Sequence, residues 1–216
     1  MKITTIEVDG IGPAIHAMRH PFASYDKSDT VTGHIGPKDR ELSNKLANAG
    51  PEHAKHLRFI QVWVEITAPR YWLTEMDTYR AGVEKLSCST MHTIMKKPFT
   101  MDDFEHDENP LSVEYAANAC ADMEYLRNLY IDLDKKGDDE KKKEVWRTLI
   151  QNLPQGYLQT RTFMISYAAL RNILKQRRGH KLKEWQQFID WMHTLPESWM
   201  IFGDEDGEEE DVKYVQ

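Results

Sequence analysis

Two stretches of the chain join a strong helical pattern to polar residues that a pure core helix would not need, and the first gathers residue types that could hold a nucleotide. In Ala68 to His92, Arg80 is followed within about a dozen positions by Glu84, Ser87, Ser89, Thr90 and His92. A guanidinium forks onto phosphate, hydroxyls satisfy phosphate or ribose oxygens, and a carboxylate accepts from a base N–H, so the set reads as a nucleotide grip. The same residues also admit a plainer reading. Arg80 and Glu84, at i and i+4, would form a surface pair on a helix, and the Ser/Thr run would form a turn. In Leu153 to Trp191, Arg171, Asn172, Arg177, Arg178 and His180 collect near the end of a helical pattern. Cations there suit the helix dipole, but Asn172 is a poor helix former unless its amide is used.

The elements that must carry these residues follow from periodicity. Lys2 to Val8 alternate as a short strand, broken by Gly10, Gly12 and Pro13 before a helical turn at Ala14 to Met18. Ser24 to Gly36 reads as a loop. A helix from about Lys38 would place Leu42 and Leu46 on one face and stop at Gly50. Leu57 to Thr67 is the strongest strand, since Ile60, Val62, Val64 and Ile66 alternate with polar or solvent-tolerant neighbours. Pro69 opens a helix through Trp72, Met76 and Tyr79, and that helix delivers Arg80. Helical patterns follow at about 112–131, 138–151, 162–178 and 181–194, the third carrying an apolar stripe of Phe163, Tyr167, Leu170 and Leu174. Helix dominates and the strands lie mostly in the first half, which predicts an α+β fold with a small, mostly antiparallel sheet packed with several long helices.

Composition narrows the class. The 216 residues carry 35 acids and 28 bases, a formal net charge of -7, which disfavours nucleic acid as a partner. Seven of the acids lie between Asp204 and Asp211, and without them 28 acids face 28 bases. We therefore expect one domain over 1–202 and an acidic flexible tail over 203–216. An acidic tail that recruits a basic partner to a helical interaction protein is a third reading of the same composition. Cys88 and Cys120 form no CxxC or Cys/His set, so no zinc site or disulfide framework is indicated and a reducing, cytoplasmic setting fits. No apolar run approaches the roughly 20 residues that span a bilayer.

Other motifs fail on their own chemistry. Gly10-Ile11-Gly12 lacks the third glycine of a dinucleotide fingerprint. Asp132, Asp134 and Gly137 fit a calcium loop until position 12, where Lys143 stands instead of a bidentate Glu. The run Asp102 to Glu108 has no ligand spacing and reads as a solvated connector.

The two stretches together resemble the flavin-dependent thymidylate synthases, the thymidylate synthase complementing family. Anchored on Ala68-Pro69, Thr78-Tyr79-Arg80 stands where that family has the start of RHRxxSxNExSxRY. Thr78 and Tyr79 replace the first Arg and the His, and Thr90-Met91 replace the final Arg-Tyr. Leu153-Pro154, the helix with Asn172 and Arg177, and Lys183-Glu184-Trp185 follow in the family's order. The resemblance implies FAD as cofactor, dUMP as the pyrimidine deoxynucleotide substrate, and methylene tetrahydrofolate with NADPH as the other reactants. It further implies Arg80 and Arg177 as catalytic polarising groups, and Glu75, Arg80, Glu84, Ser87, Ser89, Arg147 and Arg177 as substrate contacts. Asn172, Arg177 and His180 would hold the cofactor, no metal would be needed, and the assembly would be a homotetramer. The alternative within the same fold is a catalytically inactive relative that binds a nucleotide or serves as a structural oligomer.

Overall fold

The computed structural model describes residues 1–203, so the acidic tail lies outside the described residues but for Gly203. The fold is α+β, with a four-stranded antiparallel sheet in the order β1-β2-β4-β3. In chain order the elements are β1 (Lys2–Asp9), α1 (Ile11–Met18), α2 (Pro37–Asn48), β2 (Gln61–Pro69), α3 (Arg70–Met76), β3 (Val83–Ser87), α4 (Thr90–Thr93), α5 (Pro110–Lys136), α6 (Asp139–Asn152), β4 (Leu158–Ser166), α7 (Tyr167–Arg177), α8 (Lys183–His193) and α9 (Trp199–Phe202). A 3₁₀ segment, Ala54–Arg58, precedes β2. No helix among the described residues is long and apolar enough to cross a membrane.

The described residues form two compact units, and all four strands contribute to both. The first comprises residues 1–2, 65–78 and 86–162. Its core gathers Ile94, Phe99, Phe104, Ala116, Met123, Leu149, Leu153 and Tyr157, and the three rings of Phe99, Phe104 and Tyr157 pack about one another at 5.9–6.2 Å. The long helix α5 pairs with α6. Their joint is capped at both sides. Gly137 takes the left-handed conformation at the end of α5, and the Asp138 carboxylate accepts from the Lys141 amide to start α6. Asp134, one of the calcium-loop residues, is instead an ion-pair partner of Lys142 at 2.7 Å.

The second unit comprises, among the described residues, 3–64, 79–85 and 163–203. On β2 the alternation predicted from sequence is observed: Val62, Val64, Ile66 and Ala68 are all fully buried while Gln61, Trp63, Glu65 and Thr67 are more open. The strand begins at Gln61, however, because Leu57 belongs to the 3₁₀ segment. Gly10 sits at φ +93° and a Cβ there would strike the Phe59 carbonyl, so close backbone approach accounts for the glycine that suggested a dinucleotide loop.

Three expectations are corrected. The stretch 162–178 is not one helix: β4 runs to Ser166, and α7 begins at Tyr167 with no connecting residue. Thr160, Thr162, Phe163 and Ile165 are β-formers, Phe163 and Ile165 are buried on one face of the strand, and its pairing between β2 and β3 decides against the apolar spacing that links Phe163 to the helix. The helix after Pro69 stops at Met76, so Tyr79 and Arg80 lie in a turn and Glu84 and Ser87 lie on β3. Arg80 and Glu84 therefore do not form a helical i, i+4 pair. Finally, α2 buries Asp39, Ser43, Asn44 and Ala47 rather than Leu42 and Leu46.

That polar face has a cause in ion pairing. The Asp39 carboxylate is fully buried and meets Arg19, whose Nε donates at 2.8 Å and whose Nη2 lies 2.6 Å away. It also accepts from the Ser28 hydroxyl at 2.6 Å and from the Asp29 and Thr30 amides. Asp29 reciprocates by accepting from the Lys38 and Asp39 amides at the start of α2. The Ser24 to Gly36 connection is thereby tied down by one carboxylate.

Below Asp39 on the same face, Ser43 Oγ lies 2.8 Å from His56 Nε2, and burial lowers the His56 pKa to about 4. Replacing Asp39 by Ala strands the buried Arg19 charge and is expected to cost about 3–5 kcal/mol in denaturant unfolding. Burial alone would raise the Asp39 pKa, but donors from Ser28, Thr30 and Arg19 outweigh it and hold it below the usual value. The Asp39 contribution is thus present above the ordinary carboxylate pKa of about 4 and is lost as pH falls through its lowered folded value. His56 acts in a separate window. Its unfolded form binds a proton near pH 6.5 and its folded form near 4, so stability should fall by about 2 kcal/mol between pH 7 and 5. His56→Gln, which keeps a partner for Ser43, is expected to remove that part of the slope.

Candidate functional site

The N-terminus of α7 builds one wall of a cavity of about 660 Å³ within the second unit. Ser166 ends β4 and caps α7: its hydroxyl accepts from the Ala169 amide at 3.2 Å, and its own amide donates to the Gly82 carbonyl at 2.9 Å. Tyr167, the first helical residue, donates its amide to the Ile60 carbonyl at 3.0 Å. These bonds fix the start of α7 against the turn at Ala81-Gly82. Ala168, Arg171, Asn172 and Lys175 then fall on one face of α7 and line the cavity. Facing them are Ala47 and Asn48 at the end of α2, Ala54, Leu57 and Arg58 of the 3₁₀ segment, and Gln61 at the start of β2.

Among the described residues the lining carries three cations, Arg58, Arg171 and Lys175, and no acid. An anionic ligand is favoured by that field, which the helix N-terminus reinforces at Ser166 to Ala169. Arg171 is anchored: its Nη1 donates to the Ile201 carbonyl at 3.0 Å and its Nη2 to Asn48 Oδ1 at 2.5 Å. Gln61 Nε2 donates to the Arg58 carbonyl at 2.7 Å, which orients the amide and leaves Gln61 Oε1 buried without a hydrogen-bond partner. A buried acceptor in that state costs about 1–3 kcal/mol. The small side chains Ala47, Ala54, Ala81 and Ala168 leave room for a flat ring between the polar ends.

Of the residues singled out from sequence, Arg171 lines this cavity, and so does Asn172. It connects onward to Arg177 through a chain of bonds: Gln176 Nε2 donates to Asn172 Oδ1 at 3.1 Å, the Tyr79 hydroxyl donates to Gln176 Oε1 at 3.1 Å, and Arg177 Nε donates to the Tyr79 oxygen at 2.7 Å. Arg177 also lies 4.5 Å over the Trp185 ring and 5.5 Å over Tyr79. His180 makes an edge contact with Trp185, and its Nδ1 accepts from the Leu182 amide. Tyr79 stands where the resembled family has the His of its triplet, and here it supports Arg177.

The remaining candidates lie apart from the cavity lining. Arg80 and Glu84 belong to the second unit and are exposed. Glu75, Ser87, Ser89 and Arg147 belong to the first; Glu75 is half-buried and the other three are exposed. That unit has its own cavity of about 470 Å³, whose wall includes Cys88 and Thr90, neighbours of the two serines, with Thr67, Lys96, Gln159 and Thr160. Sequence reasoning missed Arg58, Gln61 and Lys175. The i, i+3, i+4, i+7 relation of Ala168, Arg171, Asn172 and Lys175 was available as a signal once α7 is started at Tyr167 rather than at 162. The role of Arg58 had no local signal, because only the fold brings the 3₁₀ segment to α7.

No family model matches the chain, and no curated protein matches it in sequence. In fold it is similar to a crystal structure of thymidylate synthase X (ThyX) from Helicobacter pylori with FAD and dUMP, at a TM-score of 0.73 and 21% identity, covering 94% of this chain and 98% of that one. A second structure of flavin-dependent thymidylate synthase ThyX from Helicobacter pylori, complexed with FAD and dUMP, gives a TM-score of 0.74 at 21% identity over 94% and 99% of the two chains. The likeness is one of fold.

Gly82 is the tightest point of the wall. It has φ +73°, and a Cβ there would lie 2.5 Å from Ser166 Oγ. Gly82→Ala is expected to lower stability by about 1–3 kcal/mol through the left-handed backbone and the displaced cap, read as a fall in Tm.

Proposed function

We propose that this protein binds FAD in the cavity on α7 and acts on a pyrimidine deoxynucleotide, dUMP, in the manner of a flavin-dependent thymidylate synthase. The observation that carries this reading is the cavity itself: about 660 Å³, within the roughly 300–1,000 Å³ of small-molecule sites, with Arg58, Arg171, Lys175 and Asn172 among its lining. The residues present suit a flavin nucleotide. Asn172 offers an amide, small alanines leave space for a planar ring, and the cations suit phosphate. When bound, reduced flavin supplies hydride while methylene tetrahydrofolate supplies the carbon, with NADPH as reductant, so the chain's task is to bind, orient and polarise.

On this reading Asn172 holds the ring, and Arg177, held by Tyr79 and Trp185, orients Asn172 through Gln176. Arg80, Glu84, Ser87, Ser89 and Arg147 are exposed positions that a neighbouring copy would cover in a homotetramer with shared sites. Free thiols at Cys88 and Cys120 fit a reducing cytoplasm.

One observation favours the second reading, an inactive relative that binds a nucleotide. Thr78 and Tyr79 stand in place of two motif cations, and Tyr79 is committed to Arg177. Two assays separate these outcomes. Purified protein is expected to retain flavin absorbance through gel filtration or to take up added FAD, with Asn172→Ala weakening uptake about tenfold. Protein that is colourless and fails to bind added FAD overturns the cofactor assignment. Conversion of dUMP to dTMP with methylene tetrahydrofolate and NADPH marks the active enzyme, and FAD binding without dTMP marks the inactive relative.

A further inference from the structure

The last described residue stands beside the cavity. Arg171 Nη1 donates to the Ile201 carbonyl at 3.0 Å, and the short helix α9 that supplies this carbonyl packs on α7. Gly203 follows at φ +88°, and a Cβ built on it would lie 3.8 Å from the same Nη1. The residues that come next therefore leave from the side of a guanidinium that lines the cavity. Their charge is one-sided: Asp204 to Asp211 hold seven acids and no base in eight positions, while the rest of the chain balances 28 acids against 28 bases.

The lining answers that charge at separate places. Lys175 stands one turn beyond Arg171 on α7, and Arg58 comes from the 3₁₀ segment. Both are exposed, and neither makes an ion pair among the described residues. A single exposed pair contributes little, so one acid would not hold a segment there. A run of acids can, because each carboxylate pairs with whichever cation it meets and no two of the cations need be adjacent. Reach is not limiting: eight residues span up to roughly 26 Å, whereas Arg171 and Lys175 are about 6 Å apart along the helix axis. Attachment at Gly203 makes the encounter intramolecular, with an effective concentration on the order of millimolar for a short tether. We infer that Asp204 to Asp211 fold back over the cavity of the same chain, pairing with Arg58, Arg171 and Lys175, and that an anionic ligand must displace them to enter. The docking stands on the charges and on the place of Gly203, and its competition with FAD rests on the cavity being the ligand site proposed above.

The test of docking uses the full chain and needs no ligand. Carbodiimide joins a carboxylate to an amine in direct contact, so peptide mapping by mass spectrometry is expected to find Lys175 coupled to an acid of 204–211. The coupling should be lost in 1 M NaCl, where the screening length is about 3 Å. Mixing the chain with an isotope-labelled copy assigns the partner: products within one isotope support docking on the same chain, and mixed-isotope products at Lys175 overturn it in favour of a second copy. Absence of coupling at Lys175, whether or not other lysines couple, also overturns it. The competition is read as FAD affinity in D204N/E205Q/D206N/E208Q/E209Q/E210Q/D211N, which should bind FAD about tenfold more tightly than the unaltered chain in low salt and equally in 1 M NaCl. Equal FAD affinities in low salt overturn the competition. If neither chain binds FAD while the Lys175 coupling forms, the docking stands and the flavin assignment falls. If both bind FAD equally and no coupling forms, the docking falls and the flavin site stands.

Discussion

The join between β4 and α7 is the constraint on which the second unit turns. A strand that becomes a helix with no intervening loop must satisfy the first helical amides from whatever lies beside it. Ser166 does so with its hydroxyl on Ala169, while the Ser166 and Tyr167 amides reach the Gly82 and Ile60 carbonyls. One short stretch of backbone thereby fixes the turn after α3, the beginning of β2 and the axis of α7. The cavity lies along that axis, so its shape follows from the join. Gly82 is the matching requirement on the other side, since no side chain fits where Ser166 Oγ stands.

A second pinned region, the Asp39 clasp, works by different chemistry. A fully buried carboxylate is costly to desolvate, and here it gathers one guanidinium, one hydroxyl and two amides, which together hold it ionised. The consequence is structural: the long connection before α2 is ordered by polar bonds rather than by apolar burial. Ser43 and His56 continue the same face of α2, and the 3₁₀ segment that carries His56 also carries Arg58 to the cavity. Polar packing inside the unit and the charged lining of the cavity thus share one element.

In the α7–α8 region the aromatic residues give each polar group a defined place. Arg177 lies over Trp185 and bonds Tyr79, and Tyr79 bonds Gln176, which bonds Asn172. An arginine in such a setting is held in one orientation by a flat ring on one side and a hydroxyl at its Nε. A substitution at Tyr79 would therefore be felt at Asn172 although the two do not touch in this chain of bonds. A phenol can accept from arginine and donate to a glutamine at once, which is the double role that Tyr79 has here.

Much of this molecule was determined by its sequence alone. Period-two alternation in Ile60 to Ile66 placed β2, Pro69 started α3, the helical spacing of 112–131 and 181–194 placed α5 and α8, and together these set the α+β class. Asn172 was identified by its cost in a helix interior, a local property that needs no fold. Tertiary structure decided what spacing could not. Whether 162–166 is strand or helix depends on pairing with neighbouring strands, which period alone does not encode, and that choice sets which face Arg171, Asn172 and Lys175 share. The polar face of α2 was invisible because hydrophobic spacing pointed to Leu42 and Leu46, whereas the partners of Asp39 come from Arg19 and a loop 9 to 20 positions away. Arg58 faces the cavity only because the chain folds the 3₁₀ segment onto α7, a contact more than a hundred residues distant in sequence and so beyond any local rule.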